Sequence, residues 1–348
     1  MSRKLFTITS LVVLTAIAVE VNGGKKQNNI AATHPLAFVI PDGFPKPLYN
    51  FENNPLTIEG FELGRKLFYE NKLSKDGNFP CSSCHQQFAA FSNYDHDFSH
   101  GFNNQFTTRN ALALSNLAWQ SAFHWDGGIN NLEVQPLAPI TAPNEMAEEL
   151  NSVINKLKGD DTYPRMFKAA FGNTEINSQK MLKALAQFVV MLVSADSKYD
   201  RVKKGAVNFT AQEQSGYSIF KDKCAGCHAE PLFTDLSYRN NGLSLHPTLQ
   251  DYGRMRITRK SEDSLKFKVP SPRNVALTFS YMHDGRFYTF DQVLNHYATG
   301  IKQSATLDPL LKNGIPLNIT EKAAIKAFLK TLTDSTFISD PRFAQPHN

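Results

Sequence analysis

At 348 residues the chain is long enough for two ordinary domains with cores of their own. Its composition, 20% charged and 41% hydrophobic, is that of a globular protein. The formal charge of +5 includes Arg3 and Lys4, which sit in a segment that reads as removable, and the absence of any Lys/Arg run excludes nucleic acid as a partner.

Arg3 and Lys4 open a short basic region, Leu5 to Val19 is mostly apolar, and Ala16-Ile17-Ala18 offers small residues for cleavage. Residues 1–24 therefore read as a secretory signal peptide, and the protein as periplasmic. The apolar run is interrupted by Thr and Ser and is shorter than the roughly 18 residues of a membrane span. Residues 25–55, with Pro35, Pro41, Pro45, Pro47 and Pro55, read as an extended arm. Gly60 to Asn71 places Phe61, Leu63, Leu67 and Phe68 at helical spacing and leads into Cys81-Ser-Ser-Cys84-His85. Glu145 to Lys158 and Ser178 to Lys198 read as helices. The second holds the apolar run Met181 to Ala195, too short to cross a bilayer and therefore buried. Thr210-x-x-Glu213 is a capping box for a helix that runs into Cys224-Ala-Gly-Cys227-His228. Thr289-x-x-Gln292 opens another helix, stopped by Gly300, and Thr320 caps a last one through Leu332. Asn208-Phe-Thr210 and Asn318-Ile-Thr320 match glycosylation sequons, but both threonines read better as caps. Strand-like alternation is almost absent, and the class is mainly α.

All four cysteines fall in two copies of Cys-x-x-Cys-His. The spacing suits haem attachment. Two thiols add to the two vinyl groups of one haem, and the adjacent His becomes the proximal iron ligand. A four-cysteine zinc site normally separates its pairs by about 15–20 residues, whereas these lie about 140 apart. A redox dithiol would not need His twice. Two covalent haems c are implied, held by Cys81, Cys84, Cys224 and Cys227 with His85 and His228 as ligands. Their propionates bring the mature protein near neutrality.

The motifs belong to a longer repeat. Arg109-Asn110-Ala-Leu-Ala-Leu and His124-Trp125-Asp126-Gly127 follow the first. Arg273-Asn274-Val-Ala-Leu-Thr and Met282-His283-Asp284-Gly285 follow the second. Two cytochrome-c-like haem domains are expected, over residues 56–205 and 206–335, with residues 336–348 as a tail. Thirteen residues beyond Asp284 stands Tyr297, and at the same distance beyond Asp126 stands Pro139, which cannot ligate iron. Gln135 and Glu145 flank that proline. One haem is thus set up for coordination and the other for chemistry.

With these residues the chain resembles the bacterial dihaem cytochrome c peroxidase family, which also includes the dihaem enzyme that matures methylamine dehydrogenase. The resemblance covers residues 55 to 335. It is carried by Leu63-Gly-Arg-Lys-Leu-Phe68, both haem motifs, Trp125-Asp-Gly-Gly128, Gln135 through Glu145-Met146, and Val269-Pro-Ser-Pro-Arg-Asn274 through His283-Asp-Gly285. It implies a peroxidase that reduces hydrogen peroxide to water. Electrons would come from a small soluble cytochrome c or copper protein, enter at the C-terminal haem and pass to the N-terminal one. A homodimer is open to it.

By position, the resemblance makes His85 the proximal ligand of the peroxidatic haem and His228 that of the electron-transfer haem. It makes His100, with His96 as fallback, the distal histidine that is in place in the resting oxidised form and leaves on activation. It makes Gln135 and Glu145 the distal pair that handles peroxide, and Trp125 the residue between the haems. Asn110, Thr278 and Ser280 match an interdomain calcium site, the last two through their carbonyls. Where the peroxidases usually carry Met on the distal side of the second haem, this chain has Tyr297, preceded by His296. That tyrosine resembles the maturation enzyme and leaves open a dihaem oxidase acting on a protein substrate. A non-catalytic dihaem electron carrier is the other alternative, against which Glu145, Gln135 and Pro139 argue. The second tryptophan of the maturation enzyme is not matched, since Asp222 stands there, so its substrate is not implied.

Covalent attachment has a direct consequence. Acid–acetone extraction is expected to leave both haems on the protein, and Cys84→Ala to damage the N-terminal site alone. Release of both haems into the organic phase would contradict the reading.

Overall fold

Beyond residue 57, short helices alternate with long irregular connections. The computed structural model describes residues 33–346. The segment read as a signal peptide and the start of the segment read as an arm lie outside the described residues. The helices are α1 (Ile58–Phe68), α2 (Cys81–Cys84), α3 (Leu137–Thr141), α4 (Leu150–Lys158), α5 (Thr162–Phe171), α6 (Ser178–Val190), α7 (Lys198–Lys203), α8 (Ala211–Lys223), α9 (Met255–Thr258), α10 (Phe290–Asn295), α11 (Ile319–Lys330) and α12 (Ser335–Ser339). Extended structure in the described residues amounts to one antiparallel pair, β1 (Tyr238–Arg239) and β2 (Phe267–Lys268), with Tyr238 opposite Lys268. No helix among the described residues is long and apolar enough to cross a membrane.

Two helix crossings organise the chain. α1 lies on α6, and α8 lies on α11, each pair meeting at a glycine. A Cβ on Gly64 would stand 1.9 Å from the carbonyl oxygen of Ala184 and 3.0 Å from Phe188 Cβ. A Cβ on Gly216 would stand 2.0 Å from the carbonyl oxygen of Ala324 and 2.9 Å from Phe328 Cβ. Only hydrogen fits at either place. Around the first crossing Phe61, Leu67, Phe68, Phe91 and Phe188 form the larger core, and around the second Tyr199, Phe220, Phe233 and Phe328 form a smaller one.

The capping boxes at Thr210 and Thr289 form as read from sequence. Three other expectations change. The last helix is capped by Asn318 with Glu321, two residues before Thr320. The helix expected from Glu145 begins only at Leu150. Pro143 holds Ala142 extended, and a compact turn follows in which Met146 N donates to Pro139 O at 3.1 Å and Glu148 N to Ile140 O at 2.8 Å. α6 stops at Val190 instead of running to Lys198, because Asn116 captures the strand beyond it: Asn116 N donates to Leu192 O, and its side-chain oxygen accepts from Ser194 N at 3.0 Å.

A second asparagine is bonded in the same way, and it is the one paired with Asn110 in the reading of the sequence. Asn274 N donates to Leu332 O, and its side-chain oxygen accepts from Asp334 N at 2.8 Å, which are the bonds Asn116 makes. Both residues have left-handed backbone, with φ of 60° and 61°. Asn274 therefore corresponds to Asn116 and not to Asn110. The Asp-Gly turns do match as read. Phe123 N donates to Ile129 O and Tyr281 N to Phe287 O, both at 2.7 Å, and Gly127 and Gly285 share a φ of 66°.

Neither end of the described chain hangs free. Phe38, Phe44 and Phe51 of the arm pack near Trp119, whose Nε1 donates to Pro45 O at 2.7 Å. From the residues read as a tail, Phe337 and Phe343 bury into the first core, and Tyr69 Oη donates to Phe343 O at 2.8 Å.

The two crossings generate a stability prediction. Gly216→Ala is expected to lower the stability of the haem-loaded protein by about 1–3 kcal/mol, the usual cost of overpacking. Gly159→Ala, where a Cβ would meet nothing closer than 3.6 Å, serves as the neutral control. Denaturant midpoints read the difference.

Candidate functional site

One cavity of about 910 Å³ runs through the described chain and is lined from both halves. Its walls include Cys84 and His85 at one end and Cys224, Cys227, His228 and Tyr297 at the other. Gln135, Pro139 and Glu145 line it too, as do Trp125, Asn110, Thr278 and Ser280. Most of the residues singled out from sequence thus converge on a single space. Cys81 sits beside it, packed against the first core.

Each haem motif is presented by a helix terminus. α8 ends at Cys224, and Cys227 and His228 follow in tight turns closed onto Cys224 O. Cys81–Cys84 is itself one helical turn, with His85 N donating to Cys81 O at 3.1 Å. All four cysteines are free. Burial pushes the thiols of Cys81 and Cys224 up to about 12 and raises those of Cys84 and Cys227, so the groups present are thiols.

The two histidines are prepared as neutral ligands. Burial lowers His85 to about 4, and it also lowers His228. His85 Nδ1 meets Phe91 O at 2.9 Å, and His228 Nδ1 meets Phe233 O at 3.2 Å and Pro270 O at 3.1 Å. A carbonyl can only accept, so Nδ1 carries the proton and Nε2 is left with its lone pair for a metal. Thiols, oriented imidazoles and the cavity together fit two haems c.

The distal sides differ. At the first end Glu145 sits on the turn after Pro143, and burial alone raises its carboxyl above the usual range. It is close enough to act electrostatically on the Cys84 thiol. Gln135 reaches the same space just before α3. At the second end α10 continues into a single π-type turn, His296–Gly300. His296 is buried outside the cavity, with Nε2 at 2.9 Å from Asn241 O. Tyr297 faces the cavity, its phenol pushed up to about 12 by burial and eased back by a hydrogen bond from Asn241. Asn241 also donates to Met282 Sδ at 3.4 Å.

His100, the distal histidine that the resemblance implies for the resting form, stands on the surface here. It is exposed, with its ring 4.9 Å from that of His96, which is exposed too, and 4.6 Å from that of Phe106. The reason lies in its loop. Phe102 N donates to Glu145 O at 2.7 Å, and Gly101 passes so close to Asn144 that a Cβ would stand 2.2 Å from its carbonyl oxygen. The loop is docked on the Glu145 turn with both histidines outside.

Between the two ends Trp125 Nε1 donates to Asn110 O at 2.8 Å, and Asn110 N donates to His283 O at 2.8 Å. Asn110 Nδ2 donates to Asp97 O at 3.1 Å and to Ser280 Oγ at 3.3 Å, which leaves its amide oxygen on the other side. Arg109 ties the halves together by bonding Asp126 and Asp251, each at 2.6 Å. Sequence reading passed over two residues of this space, Asn241 and Lys268. The available signals were an Asn-Asn-Gly turn for the first and a lone cation in the apolar run Phe267-Lys268-Val269-Pro270 for the second.

Comparison with known proteins places these features in a family. A family model described as di-haem cytochrome c peroxidase matches residues 58–208. The chain is 34% identical over 301 residues to the methylamine utilization protein MauG of Methylorubrum extorquens, covering 85% of this chain and 83% of that one. It is 33% identical over 287 residues to the cytochrome c551 peroxidase of Nitrosomonas europaea, covering 80% and 81%. A solved MauG-like protein associated with microbial copper homeostasis superposes with a TM-score of 0.82 at 32% identity, over 89% of this chain and 99% of that one.

Proposed function

The chain belongs to the di-haem cytochrome c peroxidase family, and on that premise we propose that it reduces hydrogen peroxide to water with electrons from a small periplasmic electron-transfer protein. The observation that carries this reading is the buried carboxyl of Glu145, which shares one end of the cavity with Gln135 and with Pro139, a residue that cannot ligate iron.

Two haems c, at Cys81/Cys84/His85 and Cys224/Cys227/His228, supply the electron transfer and the peroxide-cleaving centre when bound. The chain's own residues supply the proton chemistry. Gln135 orients peroxide through its amide. Glu145 takes the proton from the inner oxygen and returns it to the outer one as the O–O bond breaks. Its raised pKa keeps the proton affinity of that carboxyl in a useful range. Trp125, hydrogen-bonded to Asn110 O, holds the ground between the two haems. In this reading the halves are cytochrome-c-like domains related by a repeat, supported by the matched helix crossings and Asp-Gly turns. A calcium ion between them would use Asn110, whose amide oxygen is free of the bonds its Nδ2 makes, with the carbonyls of Thr278 and Ser280.

Tyr297 favours a second reading, a dihaem oxidase that modifies a protein. It faces the cavity where the peroxidases usually carry Met. A phenolate ligand favours oxidised iron, whereas a thioether favours reduced iron. Steady-state turnover of peroxide with a reduced small cytochrome separates the readings. Rapid turnover supports the peroxidase, and none with intact haems supports the oxidase.

Glu145→Gln is expected to keep both haems and to lower turnover by about 10²–10⁴-fold. In the wild type, activity should fall as pH drops through the raised pKa of Glu145, since the base must be ionised. That limb should vanish in the variant. Wild-type turnover in Glu145→Gln would remove Glu145 from the mechanism.

Tyr297→Met is expected to create the near-infrared band of a Met-ligated haem and to raise the potential of the C-terminal haem alone. His296→Ala should change neither band nor potential. The reverse pattern would transfer the ligand role to His296.

A further inference from the structure

Lys268 is the most deeply buried lysine near the haem sites, and the chain gives it no anion of its own. Its residue is 5% exposed, and it lines the cavity shared by both haem motifs. The ammonium donates to Gln120 Oε1 and, at 2.9 Å, to Ala122 O, both of them uncharged acceptors. The carboxylate that acts on it from farther off is Asp126, which Arg109 already holds at 2.6 Å, and Arg109 is shared in turn with Asp251. Burying a cation among neutral acceptors costs several kcal/mol unless an opposite charge arrives. Desolvation accordingly lowers this lysine to about 8.

A second unmet group stands beside it. His124 Nε2 is fully buried without a hydrogen-bond partner, and His124 lines the same cavity. Lys268 lies across this histidine. Its Nζ bonds the carbonyl of Ala122 and its backbone N donates to Trp125 O at 2.7 Å, so segment 122–125 runs beneath its full length. The backbone at His124 is left-handed, with φ of 66°. A buried cation and a buried, unpaired ring nitrogen, both facing a cavity, form a receptor for a carboxylate. The haem that this chain attaches carries such groups in its propionates.

We propose that Lys268 and His124 form a carboxylate site that holds a propionate of the N-terminal haem. The ammonium is supplied by the second half of the chain and the imidazole by the first. The N-terminal haem is chosen because the groups the lysine bonds here, Gln120, Ala122 and Trp125, and the unpaired His124 itself belong to the first half of the chain. Lys268 is then a positioning residue. It would neutralise that propionate, favour the reduced state and tie one haem's environment to the other half of the chain. The inference rests on the two-haem reading, and haem content is therefore measured separately from potential.

The experiment is spectroelectrochemical titration of the purified dihaem protein as Lys268→Met and Lys268→Arg, with haem content and denaturant midpoint recorded for each. With both haems attached, Lys268→Met is expected to lower the potential of the N-terminal haem by up to a tenfold change in its reduction equilibrium, about 59 mV for one electron. It should also make that potential pH-dependent near neutrality, because an unpaired buried propionate takes up a proton more readily. Lys268→Arg keeps the charge and should keep the wild-type potential. If Lys268→Met does not fold, His124→Phe carries the test, with a smaller shift in the same direction from loss of one donor to the carboxylate. Unchanged potential and pH dependence in a variant retaining both haems would overturn the site, as would a shift confined to the C-terminal haem.

Discussion

The arrangement depends on two helix crossings so close that only glycine fits at them. Because Gly216 brings α8 against the carbonyl of Ala324, the end of α8 is fixed, and with it the turn that presents Cys224, Cys227 and His228. Gly64 does the same for α1 on α6 beneath the first core, against which Cys81 packs. A covalent cofactor tolerates little error in such placement, since two thiols and one imidazole must meet one rigid macrocycle. Close-packed helices give that precision because packed interiors deform little. The carbonyls of Phe91 and Phe233 complete it by holding each ring at Nδ1.

The two sites are not independent modules. Arg109 of the first half bonds Asp251 of the second, Asn110 N bonds His283 O, and Lys268 N bonds Trp125 O. These contacts are buried and polar. Their net contribution to stability is small once desolvation is counted, but breaking one partner leaves an uncompensated charge. Their effect is to lock one relative placement of the halves. The same contacts surround Trp125, so the geometry between the haem sites is set by them.

The two ends of the cavity are built differently. Pro139 and Tyr297 stand at the same distance beyond matched Asp-Gly turns. At the first, proline ends any prospect of ligation, and the turn after Pro143 brings Glu145 into the cavity in its place. At the second, Tyr297 on the π-type turn lines the cavity, while His296 bonds Asn241 O. Of these two adjacent residues only Tyr297 lines the cavity.

Sequence by itself determined the covalent chemistry, because Cys-x-x-Cys-His acts through local spacing that no tertiary contact can alter. It also determined the capped helices at Thr210 and Thr289, whose hydrogen bonds span three residues. Tertiary structure decided what depends on distant partners. Asn274 matches Asn116 rather than Asn110 because each closes on a strand far along the chain. His100 lies outside because its loop docks on Glu145. The residues read as a tail belong to the first core through Phe337 and Phe343. Lys268 gave almost no signal in sequence, since a lysine shows its burial only when the chain that buries it, more than a hundred residues away, is in place. Short-range bonds can be read from the order of residues, whereas desolvation and long-range pairing exist only once the chain has closed upon itself.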